Sequence, residues 1–93
     1  MTLTATAHVP TATPGRYIGR LCKHFAHKIP VSFDERQGRI EFEFGLTLLE
    51  AEHDGLRLSV QGADQEQLDR LKQVVASHFE RFAWQEALAL DWH

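Results

Sequence analysis

RYIGRLCKHFAHKIPV, residues 16–31, changes periodicity at its proline, and the architecture follows from that change. Before Pro30 the apolar residues recur at helical spacing. At 100° per residue Tyr17, Ile18, Leu21, Cys22, Phe25 and Ile29 project to one side. Arg16, Arg20, Lys23, His24 and His27 project to the other, with Lys28 at its edge. Proline disfavours helical geometry at the residue before it, so the helix is expected to stop just short of Pro30. Thr13 followed by Pro14 supplies a start: an N-cap residue and a proline at the first helical position.

Both flanks alternate with period two. Upstream, Leu3, Ala5, Ala7 and Val9 share one face and Thr4, Thr6 and His8 the other, the mark of a half-buried strand. Downstream, Val31 to Asp34 opens a run of strands. RIEFEF (residues 39–44) sends Ile40, Phe42 and Phe44 inward and Arg39, Glu41 and Glu43 outward. ERQG before it suits a hairpin loop, and Gly45 a tight turn or bulge. Leu46 to Glu52 and Leu56 to Gln61 read as two more strands joined at His53-Asp54-Gly55, the second with Leu56, Leu58 and Val60 inward.

Asp64 with Gln67 three residues on resembles a capping box. From there Leu68, Leu71, Val75, Phe79 and Phe82 trace a long second helix. After Trp84 the tail alternates again at Leu88, Leu90 and Trp92 against Ala89 and Asp91, which suggests a last short strand or an apolar tail docked on the domain. The expectation is a single α+β domain over residues 1–93. Its order is β-α-β-β-β-β-α with a candidate extra C-terminal strand, and two helices pack on one face of an antiparallel sheet. That order matches the layout of the TATA-binding-protein-like fold, an architectural analogy that transfers no function. The other sheet face would carry Arg39, Glu41, Glu43, Arg57 and Ser59.

A length of 93 residues supports one hydrophobic core, and 43% hydrophobic content is ample for it. A net charge of −3 argues against nucleic-acid binding. A single cysteine forms no internal disulfide. No charged leader and no bilayer-length apolar run occurs, so no membrane association is expected and the cytoplasm is the default compartment.

The chemistry-bearing residues gather on the first helix. Arg16, Arg20, Lys23, His24, His27 and Lys28 form a cationic surface with no acid among them, suited to a phosphate or a carboxylate-rich ligand. A solvated helix face, with cations favoured late in the helix by its dipole, explains the same pattern. His24 and His27, three apart, are placed to share a metal, for which His78 of the second helix is a candidate third ligand. Cys22 points the other way, roughly 160° from His24, as a small buried hydrophobe. For His78 the simpler role is a partly buried histidine bonded to a backbone carbonyl or a carboxylate. His8, His53 and His93 read as surface residues, and Glu80 and Arg81 as ordinary solvent charges. There is no phosphate loop, nucleophile elbow, paired metal-binding cysteine motif or His-Glu-x-x-His, so enzymatic activity is not expected. His24 or His27 as a catalytic base lacks a nucleophile and an orienting acid.

The run RLCKHFAHKIPVSFDERQGRIEFEFG, then DGLRLSV and VVASHFERFAW, resembles the bacterial family catalogued as domain of unknown function 2218. The resemblance spans nearly the whole chain, with CKHFAHKIPV at Cys22 to Val31 its most specific element. It implies a small bacterial protein of a kind sometimes encoded beside or joined to siderophore-interacting ferric reductases, hence a link to iron or siderophore metabolism, and it supplies no catalytic residue. Two functions follow as expectations. One is a non-catalytic accessory module holding an anionic siderophore or a metal on the first helix, with a siderophore-interacting reductase as partner. The other is a protein-interaction or homodimerisation domain that uses the apolar tail or the outward sheet face.

Overall fold

The computed structural model describes residues 2–82, 90, 92 and 93. Five strands and two helices follow the expected order: β1 (Leu3–Pro10), α1 (Pro14–Phe25), β2 (Val31–Phe33), β3 (Gln37–Phe42), β4 (Gly45–Glu52), β5 (Gly55–Gly62) and α2 (Gln65–Phe82). The strands form one antiparallel sheet in the order β1-β5-β4-β3-β2. The three consecutive hairpins build four of these strands. β1 reaches the far side of β5 because α1 carries the chain across the sheet.

Alternation sets the register. Ala5, Ala7 and Val9 of β1, Ile40 of β3, Leu49 of β4 and Leu56, Leu58 and Val60 of β5 are all buried. On them sit Tyr17, Ile18, Leu21, Cys22 and Phe25 of α1 and Leu68, Leu71, Val75 and Phe79 of α2. The helices meet through Tyr17 and Phe79, whose rings lie 5.3 Å apart. α1 settles onto β3 at Gly38, where a Cβ would stand 2.7 Å from Cys22 Sγ and 3.1 Å from Ile18.

Local chemistry explains the turns. Asp34 Oδ1 accepts hydrogen bonds from the backbone N–H groups of Arg36 (2.7 Å) and Gln37 (2.9 Å), closing the β2–β3 hairpin. Those bonds hold the Asp34 carboxyl below the usual range. Gly45 has φ +155°, and a Cβ there would run into the Gln61 carbonyl and Leu71. Asp64 Oδ1 accepts from Gln67 N–H at 2.9 Å, the expected cap of α2. Thr13 does not cap α1 through its side chain; its own N–H donates to Thr11 Oγ1 at 3.2 Å.

Three expectations need correction. α1 ends at Phe25 rather than next to Pro30. The chain tightens beyond it, with Lys28 N–H and Ile29 N–H both donating to the Phe25 carbonyl at 3.1 Å. The restriction that proline imposes on Ile29 is met one turn early, so His27 and Lys28 lie in a turn and not on the helix. β3 begins at Gln37, because the Asp34 turn closes before the glycine and not after it. Phe42 pairs with Gly45, so Glu43 and Phe44 form the β3–β4 turn and Glu43 leaves the outward sheet face. The tail docks on its own domain: Trp92 bridges Ala7, Thr6 N–H donates to the His93 carbonyl at 3.1 Å, and His93 N–H donates back at 2.8 Å. Leu90 packs against the core. Leu88, Ala89 and Asp91 of the expected alternation lie outside the described residues.

β4 also places Thr47 at the centre of the core. Its register partners are Ile40 and Val60, and its Oγ1 is buried without a hydrogen-bond partner. A buried hydroxyl in that state costs about 1–3 kcal/mol, whereas valine has nearly its shape. Thr47→Val is therefore expected to raise stability by about 1 kcal/mol. In urea the midpoint should move up with the slope unchanged; an unmoved or lower midpoint would contradict the burial of an unsatisfied hydroxyl.

Candidate functional site

α1 and the turn after it carry the cationic surface. Arg16, Arg20, Lys23 and His24 are exposed on the helix, and His27 and Lys28 are exposed in the turn. None of the six forms an ion pair among the described residues, and no acidic residue occurs between Pro14 and Phe33. Lys23 and His24 lie in the last turn of α1.

The crossing of the helices concentrates this charge at one end. His24 at the end of α1 packs on His78 of α2, ring centroids 4.7 Å apart. Phe25 and Phe82 close around His24 at 5.0 and 5.7 Å. His78 is half-buried, and its Nδ1 lies 2.7 Å from the Val74 carbonyl. A carbonyl only accepts, so Nδ1 carries the proton and a neutral His78 keeps its lone pair on Nε2. Phe25 extends the aromatic cluster to Phe42 and Phe44, and the Arg70 guanidinium lies 4.4 Å above the Phe44 ring.

His24 registers the crowding. Its pKa is lowered, first because the packed rings strip water from the imidazole and then because His78, Arg81, Lys28 and His27 add positive charge around it. Arg81, read from sequence as an ordinary solvent charge, thus belongs to the same surface. Its spacing on α2 gave no signal; only the crossing of the helices brings it near His24. Cys22 is fully buried, and burial pushes its thiol up to about 11.

The expected metal ligands converge only in part. His24 and His78 touch, but His27 sits past the helix end, and the three do not form a ligand cluster. Among the described residues, the three side chains whose ligand atoms come together are His8, Glu52 and Asp54, at the opposite end of the sheet layer. Strand parity puts His8 on the outward face, yet Glu52 and Asp54 lie more than forty residues away in sequence, beyond the reach of any local spacing rule. On that outward face Ser32, Arg39, Leu48, Glu50, Arg57 and Ser59 line a shallow trough of about 670 Å³, with Phe33 at its rim 41% exposed.

Together, fold and surface define a two-layer α+β domain with a segregated cationic helix. Over residues 6–93 the chain matches the family described as an uncharacterised protein conserved in bacteria, domain of unknown function 2218, and it belongs to that family. The NMR structure of PA4090 from Pseudomonas aeruginosa is similar in fold. It is 34% identical, the match covers 97% of this chain and 94% of that one, and the TM-score is 0.80. No curated protein matches the chain. Among the described residues no helix is long and apolar enough to cross a membrane.

The lowered pKa of His24 has a stability consequence. In the unfolded chain His24 titrates near 6.5, and in the folded chain it titrates lower, so folding favours the neutral ring. That contribution is complete above pH 6.5 and is lost as pH falls through the folded value. Proton NMR should place the His24 midpoint below 6.5. Between pH 7.5 and 5, His24→Gln should lose less stability than the parent chain; equal losses would remove His24 from the acid response.

Proposed function

We propose that this chain is a non-catalytic binding module that takes an anionic ligand on the cationic surface of α1. The observation that carries the reading is the segregation of Arg16, Arg20, Lys23, His24, His27 and Lys28, all exposed and free of ion pairs among the described residues, on a protein of net charge −3. On an ordinary solvated face, mixed signs would be expected at helical spacing. Here Arg81 adds to the surface, and the ligand's negative charge would relieve the mutual repulsion around His24.

An anion seated there accepts charge-assisted hydrogen bonds from Arg20 and Lys23 and gains from His24, Lys28 and Arg81 beyond them. Neutral His24 can also take a proton as the anion arrives. Ferric siderophore complexes commonly carry negative charge, and the family resemblance alone supplies the iron link and a siderophore-interacting reductase as partner. A metal held by His24 and His78 would have to use Nε2 of His78, since Nδ1 is committed to Val74.

The interaction-domain reading draws on a different surface, the outward trough with Phe33 at its rim. The tail pairs with its own β1 and so leaves that trough as the surface for a second copy. Under that reading light scattering gives a dimer mass that Leu48→Glu halves.

Titration of the full chain with a ferric tris-catecholate complex tests the anion reading. Saturable binding is expected, and the double variant Arg20→Ala, Lys23→Ala should weaken it by about tenfold or more, given roughly 1.5–3 kcal/mol for a hydrogen bond to a charged group. A folded double variant with undiminished affinity would overturn the assignment of the site.

A further inference from the structure

We propose that His8, Glu52 and Asp54 form a surface site for a borderline divalent cation such as Zn²⁺, independent of the α1 surface. Three elements supply the ligands: His8 comes from β1, Glu52 from the end of β4 and Asp54 from the β4–β5 turn. Their ligand atoms all lie within 4.8 Å of one another. His8 Nε2 is 3.1 Å from Asp54 Oδ1 and 3.7 Å from Glu52 Oε1.

Those separations suit coordination. With metal–ligand bonds of about 2.0–2.2 Å, adjacent ligand atoms stand about 2.8–3.6 Å apart in tetrahedral or octahedral geometry. The two separations from His8 Nε2 lie close to that range. The backbone is held on both sides: β1 pairs with β5 along its length, and Glu52 pairs with Gly55 across the turn. Gly55, opposite both Pro10 and Glu52, places no side chain between β1 and β4, and a Cβ there would run into the Val9 carbonyl.

The donor set selects the ion. One imidazole and two carboxylates suit zinc and similar first-row cations, whereas calcium and magnesium favour all-oxygen sets. His8 Nε2 and Asp54 Oδ1 lie at hydrogen-bond distance, so a bound cation takes the place of the proton between them, which leaves to solvent. Asp54 is 73% exposed, which leaves water free to complete the coordination sphere. Arg57 stands opposite His8, but Glu50 stands opposite Arg57 on the next strand, so the neighbouring positive charge is matched by a third carboxylate.

Isothermal titration of untagged, chelator-stripped full-length protein with Zn²⁺ is the test. One equivalent should bind, and His8→Ala and Asp54→Asn should each weaken binding by roughly tenfold or more, since even outer partners of metal ligands are worth 10- to 100-fold. His24→Ala, His27→Ala should bind as the parent does. With zinc, the His8 ring resonances should shift while those of His24 stay in place. Absence of saturable binding, undiminished binding by folded His8→Ala, or loss of binding in the His24, His27 variant would each overturn the proposal.

Discussion

The seating of α1 on β3 at Gly38 is the contact on which the remaining geometry depends. Only a residue without a side chain lets Cys22 and Ile18 come down to the strand, and this depth fixes the height and rotation of the helix. Tyr17 then reaches Phe79, Phe25 reaches Phe42, and His24 arrives against His78. A larger residue at 38 would lift the helix and separate the two imidazoles along with the cations around them. The cationic surface is thus a product of core packing as much as of composition, since a close-packed interior transmits displacement rather than absorbing it.

The architecture was legible because its signals are local and redundant. Period-two alternation in β1, β3 and β5, helical spacing in α1 and α2, and the cap at Asp64 each act within a few residues, and the number and order of elements follow from them. Boundaries were less legible because they depend on competition. Pro30 announced the end of α1, yet the tightened turn on the Phe25 carbonyl took His27 and Lys28 out of the helix. The Asx-type turn at Asp34 moved Gln37 and Gly38 from loop to strand. Of the candidate site, the cations of residues 16–28 could be read from one amphipathic pattern, and His78 meets a backbone carbonyl, one of the two partners its position suggested. Arg81 and the His8 cluster could not be read, because each needs two elements distant in sequence to be set side by side.

The molecule keeps its charges apart. Cations without acids occupy α1 and the turn after it, while the outward sheet face alternates signs, with Arg39 near Glu41 and Arg57 opposite Glu50. Mixed signs on the sheet neutralise one another at short range, whereas the helix surface projects its field into solvent, screened only over about 8–10 Å at physiological salt. A small negative net charge therefore conceals a positive patch on α1, and an approaching anion meets α1 differently from the outward sheet face.

Cys22 turns the depth of α1 into something chemical. Its thiol is enclosed between the helix and Gly38, and burial holds it almost wholly protonated at neutral pH. Thiolates, not thiols, attack alkylating reagents and disulfides. The sulfur is therefore silent while the helix is seated and becomes reactive when the helix lifts. The one cysteine of this chain is in effect an internal clock, and its rate of modification counts how often the two layers part.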